Sequence, residues 1–435
     1  MAWHAHFRQD RIIGGAAVLA VTQLSASVVG LVLRRVLAAT FPELAVVDVY
    51  IAAFRPSDLL FQVGIMSAMG TVLVPLLAGH KAHGRGGDVD RVLSGTMLMG
   101  SVLFGVFALL LAVAFPWVAP YMVHFRGDEL ALYIQFGRIA LLTNFLFVFG
   151  NAFGQYLITE QRYWVYGITP IVYTLGTIAG TIFLTQYVGP YGPIVGTVGG
   201  AFLYTVLRFG GALARGFRFR ATLWHPDLSE MGILMLPRML ALGAMQLQLL
   251  LFDTIASGLD TGSVTINAFT RDFQGVIVGV AGVALSQSAY SLLSQAAAKK
   301  EFGRFRIYVD KGLLMLLLFT IPASFVLVGA SPIAAGLVKL SHVLHPFTLA
   351  LILYALSIPF ESINHLFLRG FYALKDTVIP AVLGVTTGML AVLLAWIFAP
   401  QYGVFALPFG YTIGQVIETV VMGMLLMRRI KKLQQ

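Results

Sequence analysis

The sequence predicts an all-α, polytopic membrane protein with about twelve transmembrane helices. Three observations carry this. Of 435 residues, 58% are hydrophobic and only 11% charged; a soluble domain has about a quarter charged and under half apolar. Mean hydropathy is +0.85. The apolar residues also gather in long runs, and roughly 20 such residues cross a ~30 Å hydrocarbon core as a helix. Barrel strands would be about ten residues long with alternating polarity, which these runs lack. Disorder needs far fewer apolar residues. There is no cysteine, so no disulfide framework or thiol chemistry is available, and the redox compartment cannot be read.

The runs follow one another in order. The first, 12–38, comes after Arg8, Asp10 and Arg11 and lacks a small-residue cleavage site, so it reads as a retained helix, not a signal peptide. Runs 46–78, 92–117, 131–157, 163–187 and 192–213 complete a first set of six. A basic segment with Arg218, Arg220, His225, Pro226 and Asp227 then leads to 232–257, 263–295, 307–330, 347–368, 377–399 and 403–427. Gly176 and Gly180, and Gly196 and Gly200, have the spacing of small-residue packing motifs, and 45 glycines suit close membrane helices.

Charge sets the orientation. With a cytoplasmic start, nineteen Lys and Arg between Arg8 and Lys432 fall in cytoplasmic segments, against Arg126 and Lys339 outside. That places both termini in the cytoplasm. It also explains most of the net charge of +10 without nucleic acid, for which no basic stripe with interleaved aromatics exists.

An internal repeat is visible. Ala53-Phe54-Arg55 precedes Leu76 by the same 21 residues that separate Arg271, in Ala268-Phe269-Thr270-Arg271, from Leu292. The two arginines are 216 apart, close to half the chain. Six spans per half is an even number, so the repeat is parallel. The expected organisation is a first lobe over 1–213, a cytoplasmic linker over 214–230 and a second lobe over 231–435.

Eight basic residues lie within or beside the spans. Arg208 and Lys311 are close enough to cytoplasmic ends to snorkel. The others need a cavity or a partner, because an ionisable group at mid-bilayer costs at least about 2.5–3.5 kcal/mol. Asp48, Arg55, Asp58 and Gln62 share one face of the second span. They form either a structural Arg55–Asp58 pair or the lining of an aqueous cavity. Gln23, Ser27 and Arg34 form a matching stripe on the first span, flanked by Arg35, and Asn267, Arg271 and Gln274 one on the eighth. Gln246 and Asp253 share a face of the seventh. A single cavity between the halves would collect these stripes. Glu361, Asn364 and His365 on the tenth span, and Tyr411, Gln415 and Glu418 on the twelfth, read as helix–helix hydrogen bonds or as an ion or proton site.

Chemistry on the chain itself is not indicated. There is no HExxH, P-loop or nucleophile elbow. His80/His83 and His342/His345 have helical spacing but fall in loops, with no further metal ligands. The expectation is a non-enzyme without metal. Arginine, permanently charged with a planar fork of donors, suits phosphate. Arg34, Arg35, Arg55 and Arg271 therefore point to an anionic, phosphate-bearing substrate.

Short motifs along nearly the whole chain carry a family resemblance. They are Ser25, Gly30, Asp48-Val49-Tyr50, Ala53-Phe54-Arg55, Ser57-Asp58-Leu59-Leu60-Phe61-Gln62 and Val74-Pro75-Leu76-Leu77-Ala78. Further on come Asp253-Thr254-Ile255-Ala256-Ser257, Thr261-Gly262-Ser263-Val264 and Gly282-Val283-Ala284-Leu285. The most specific are Gly370-Phe371-Tyr372-Ala373 and Lys375-Asp376-Thr377 with Pro380. The chain resembles the MurJ-type lipid II flippases of the multidrug/oligosaccharidyl-lipid/polysaccharide exporter superfamily. It departs from them at Ala26 and Phe61-Gln62, where the family has arginines, and at Arg271-Asp272, whose order is reversed. Family members usually have fourteen spans, against the twelve read here.

The resemblance implies two six-helix lobes around a cationic central cavity, working by alternating access in the bacterial cytoplasmic membrane. The partner would be a polyprenyl-diphosphate-linked peptidoglycan precursor, its diphosphate held by Arg34, Arg35, Arg55 and Arg271. Asp48 and Asp58 would orient Arg55 and contact the head group, beside Asn267 and Gln274. Membrane lipids and cell-wall synthesis proteins are the other expected partners. No cofactor is expected. Sodium, protons or the membrane potential would drive transport, with Asp253 and Asp376 as sodium-site candidates by resemblance and Glu361 as a further ion site. The competing readings are a flippase for another lipid-linked polysaccharide unit and an ion-coupled small-molecule exporter.

Overall fold

The computed structural model describes residues 2–67, 69–222 and 225–434, without the side chains of 2–13, 15, 16, 70, 71, 230, 233, 234, 236, 237 and 241. Arg8 and Arg11, counted toward orientation, are among those side chains, and residues 223 and 224 of the expected linker lie outside the described residues.

Among the described residues there are twelve long helices and no strand. In order these are α1 (Ala2–Thr40), α2 (45–67 and 69–82), α3 (Gly86–Met122), α4 (Gly127–Thr159), α5 (163–188) and α6 (Gly192–Leu213). Then follow α7 (Pro226–Ala256), α8 (Ser263–Ala298), α9 (Phe302–Gly329), α10 (Leu344–Ala373), α11 (Val378–Tyr402) and α12 (Ala406–Gln434). Each overlaps one apolar run, with ends that differ by up to ten residues. A short helix, Ser331–Leu337, occupies a stretch that reads as a loop.

Helix is the required outcome for these runs, because in hydrocarbon every backbone N–H and C=O must be bonded within its own segment. Among the described residues nine stretches are long and apolar enough to cross a membrane. Two of them, Tyr163–Leu213 and Val378–Gln434, each hold two helices joined by a 3-10 turn. Leu109, Phe325 and Trp396 show why so few span residues are buried: they point outward, where a soluble core would have hidden them. The chain is a multi-pass membrane protein.

It divides into two compact units, Met1–Gln246 and Leu247–Gln435. In the first, α4 packs against α2, α3 and α6, and α5 packs against α6 and α1. In the second, α10 packs against α8, α9 and α12, and α11 against α12. The internal plan repeats. Residues with positive φ, which close the turns between helices, pair as Leu44 with Gly262, Gly84 with Lys300, Gly127 with Lys339, Gln161 with Lys375 and Gly189 with Gly403. Their separations of 212 to 218 bracket the 216 read from Arg55 and Arg271. Widened π-helical turns recur on the same interval, beginning at Gln62 in α2 and Val278 in α8.

The glycine motifs pack as their spacing predicts. A Cβ on Gly196 would lie 2.5 Å from the Gly176 carbonyl oxygen and 2.6 Å from Gly180 Cα, and one on Gly200 2.4 Å from the Tyr173 carbonyl. Between membrane helices, where lipid removes the hydrophobic drive, such close approach supplies the attraction. Gly196→Val is expected to wedge α5 from α6 and cost about 1–3 kcal/mol. Thermal unfolding of the purified protein measures this, with Gly199→Ala, which meets open space, as the unaffected control.

Two readings are corrected. Arg208 does not snorkel: it is 1% exposed. Its Nε donates to Thr169 Oγ1 at 2.8 Å, Nη1 to the Gly150 carbonyl at 3.1 Å and Nη2 to the Tyr166 carbonyl at 3.2 Å. Its guanidinium carbon sits 4.0 Å and 4.6 Å from the ring centres of Tyr204 and Tyr166. Spacing from a helix end cannot show which way a side chain turns. His80 is not in a loop either. It is buried in the last turn of α2, bonded to Asp227 at the start of α7 and in edge-to-face contact with the His225 ring.

Candidate substrate and ion sites

In the first unit the polar stripe of α2 is organised by α4. Pro56 lies inside α2, and Ser57 beside it turns its hydroxyl to the Ala140 carbonyl at 3.1 Å. Asn144 Nδ2 donates both to that hydroxyl at 2.7 Å and to Asp58 Oδ1 at 2.9 Å. Arg55, half-buried, acts electrostatically on Asp58. Arg34, half-buried on α1, and Asp58 both act on Tyr50 and Tyr173. The Tyr50 hydroxyl in turn bonds Thr197 Oγ1 on α6 at 2.9 Å. Arg34, Arg55 and Asp58 are thus gathered around two tyrosines and an asparagine, while Asp48 is buried in the first turn of α2 and Arg35 is exposed.

The second unit holds a counterpart. Asn267 and Gln274 are buried on α8, with Arg271 half-buried between them. Gln274 Nε2 donates to the Glu361 carboxylate and to Ser357 Oγ, both on α10. The Tyr354 hydroxyl donates to Asn267 Oδ1 at 2.7 Å. Tyr411 of α12 hydrogen-bonds Glu361, and Arg271 acts on Glu361, Tyr354 and Tyr411. Asp253, buried on α7, acts on Tyr354. Asp253, Asn267, Arg271, Gln274 and Glu361 therefore form one network. Beside it, Asn364 Nδ2 reaches Gln415 Oε1 at 2.9 Å, and Thr387 donates to Glu418 at 3.4 Å.

The two networks are related by an exchange. Asp58 on α2 meets the amide of Asn144 on α4; at the repeat-equivalent places, the amide of Gln274 on α8 meets Glu361 on α10. Carboxylate and amide have swapped helices. In both units the arrangement leaves a half-buried guanidinium beside a carboxylate already held by an amide.

Asp376 stands apart from both networks among the described residues. Its Oδ1 accepts the backbone N–H of Val378 at 3.1 Å and of Ile379 at 3.2 Å, capping α11, and its Oδ2 pairs with Arg429 of α12. Loss of a cap costs about 0.5–2 kcal/mol. Asp376→Ala is expected to lower stability by that amount in thermal unfolding, and Asp376→Asn by less, because an amide oxygen still accepts. Sequence reading missed Asn144, Ser357, Tyr50, Tyr173 and Tyr354. The readable signal was a polar residue inside an otherwise apolar run; the partners came only with the packing.

The sequence model of the family described as Lipid II flippase MurJ matches residues 13–435. The chain belongs to the MurJ family. This MurJ-family chain is 22% identical to the probable lipid II flippase MurJ of Bdellovibrio bacteriovorus, over 98% of its own length and 83% of that relative's. It is 24% identical to the probable lipid II flippase MurJ of Haemophilus influenzae, over 89% of its own length and 79% of the other's. A solved structure of lipid II flippase MurJ in an inward closed conformation superposes with a TM-score of 0.80 at 19% identity, covering 96% of this chain and 90% of that one. An inward-facing multidrug resistance MATE transporter of the MOP superfamily also gives 0.80, at 16% identity, covering 95% and 99%. These two likenesses establish a shared fold.

Proposed function

We propose that this protein is a flippase that moves lipid II, a polyprenyl-diphosphate-linked peptidoglycan precursor, across the bacterial cytoplasmic membrane by alternating access. The family match over residues 13–435 carries the reading. The half-buried arginines support it, because a diphosphate needs planar, permanently charged donors inside an apolar protein. Arg34, Arg35, Arg55 and Arg271 engage the diphosphate. Asp48 and Asp58 orient Arg55 and meet the head group together with Asn267 and Gln274. The protein acts on its lipid substrate without making or breaking covalent bonds. The charge asymmetry supports cytoplasmic termini, and the repeat supports two lobes over 1–213 and 231–435. Sodium or protons couple transport through Asp253 and Glu361, whose carboxylates lie close to Arg271 and Tyr354 in one network; Asp376 contributes by holding α11 to α12.

The test is translocation of labelled lipid II in vesicles reconstituted with the purified chain, together with rescue of a bacterium depleted of its own lipid II flippase. Transport and rescue are expected; absence of both overturns the proposal. Transport of another lipid-linked glycan without rescue would favour the second reading, which the arginine-free Ala26 and Phe61-Gln62 positions support.

A further inference from the structure

We infer that the end of the first unit carrying the α2–α3, α4–α5 and α6–α7 connections binds the phosphate headgroup of an acidic membrane lipid, in a pocket formed by Lys81, Arg215, Arg218 and Arg220. The inference concerns a site apart from the networks above and does not depend on the transported substrate.

The pocket has a volume of about 440 Å³ and is walled by the end of α2, the first turns of α3, the end of α4 and the extended strap that leaves α6. Four cations face two carboxylates there, and both carboxylates are already answered. Glu160 Oε1 accepts from Lys81 Nζ at 2.7 Å. Asp90 accepts the backbone N–H of Arg218 at 3.2 Å and stands 3.7 Å from Arg220 Nε. Among the described residues no carboxylate pairs with the guanidinium of Arg215 or Arg218. Both are exposed.

The strap is anchored while these side chains are not. Its Arg220 N–H donates to Ser94 Oγ at 3.0 Å, and the Arg215 carbonyl accepts from the Tyr156 hydroxyl at 3.3 Å. Phe217 is buried against Phe153 and Tyr156. The backbone therefore presents two unpaired guanidinium groups at fixed positions around a cavity whose floor includes Gly86 and Gly87. Planar donors around a small polar cavity suit a phosphate.

The source of that phosphate follows from the neighbouring rings. Phe219, between Arg218 and Arg220, is 57% exposed, and Trp164, at the start of α5 on the same end, is 58% exposed. Exposed aromatic rings beside arginines at the ends of membrane-spanning helices sit at headgroup depth. A soluble anion would have no use for them; a lipid would bring its own interface.

Native mass spectrometry of the full chain in detergent, titrated with phosphatidylglycerol, tests this. Arg215→Gln/Arg218→Gln is compared with Lys299→Gln/Lys300→Gln, which removes the same charge from the exposed α8–α9 turn. At about a factor of five per basic residue near an acidic lipid surface, the first pair is expected to weaken binding about 30-fold. The control should change it less than about twofold, and inorganic phosphate should not displace the lipid. Equal loss in both pairs, unchanged affinity in the first, or displacement by inorganic phosphate each overturns the inference. The substituted residues are exposed, so unchanged unfolding temperatures confirm that folding is intact.

Discussion

Arg271→Ala is expected to cut lipid II translocation in reconstituted vesicles by about 10- to 150-fold, the equivalent of one charge-assisted contact worth about 1.5–3 kcal/mol. Arg55→Ala should fall in the same range. Lysine at either position should recover part of the loss, because it restores charge but not the planar fork. Each arginine is half-buried beside a carboxylate that an amide already holds, Asn144 for Asp58 and Gln274 for Glu361. Removing the Arg271 guanidinium leaves Glu361 hydrogen-bonded to Gln274, so the deficit of Arg271→Ala should appear in transport and not in unfolding temperature. Full activity in both alanine variants would remove these residues from the substrate site.

Arg208→Ala has the opposite profile. It should destabilise the first unit by about 2–5 kcal/mol, the range for deleting a large buried side chain, read as a lowered unfolding temperature in detergent. Three oxygen acceptors and two tyrosine faces lose their partner at once. Arg208→Met should recover only the packing part of the loss, because it fills the volume but leaves the three acceptors without their donor. If Met proves as damaging as Ala, the cation itself matters beyond packing.

Much of the fold was legible because it depends on local quantities. Hydropathy marked all twelve helices. The 216-residue interval, read from two arginines, reappears in the backbone at Gly84 and Lys300. Glycine spacing announced the α5–α6 contact because a Cβ-free stripe has little other use in a membrane helix. The site was legible only on one side of each contact. Stripes on α2 and α8 could be counted along their own helices, but Asn144 and Glu361 lie 86 and 87 residues away from their partners. The exchange of carboxylate and amide between units therefore required packing to be seen. Asp376, singled out by a motif, also bonds the backbone N–H groups of Val378 and Ile379, a contact the motif does not announce.

The π turns of α2 and α8 have a mechanical meaning. Each inserts one residue beyond the regular helical count, which swings everything after it by about 100° about the helix axis. The stripe from Asp48 to Gln62 ends where the first such turn begins, and the last third of α2 runs out of phase with it. An inserted residue of this kind is a dislocation. Shifting it one place along the chain trades one backbone hydrogen bond for another and turns only the residue it passes, leaving the segments on either side in register. The helices that carry Arg55 and Arg271 thus each contain such a dislocation, located between the arginine and the end of the helix.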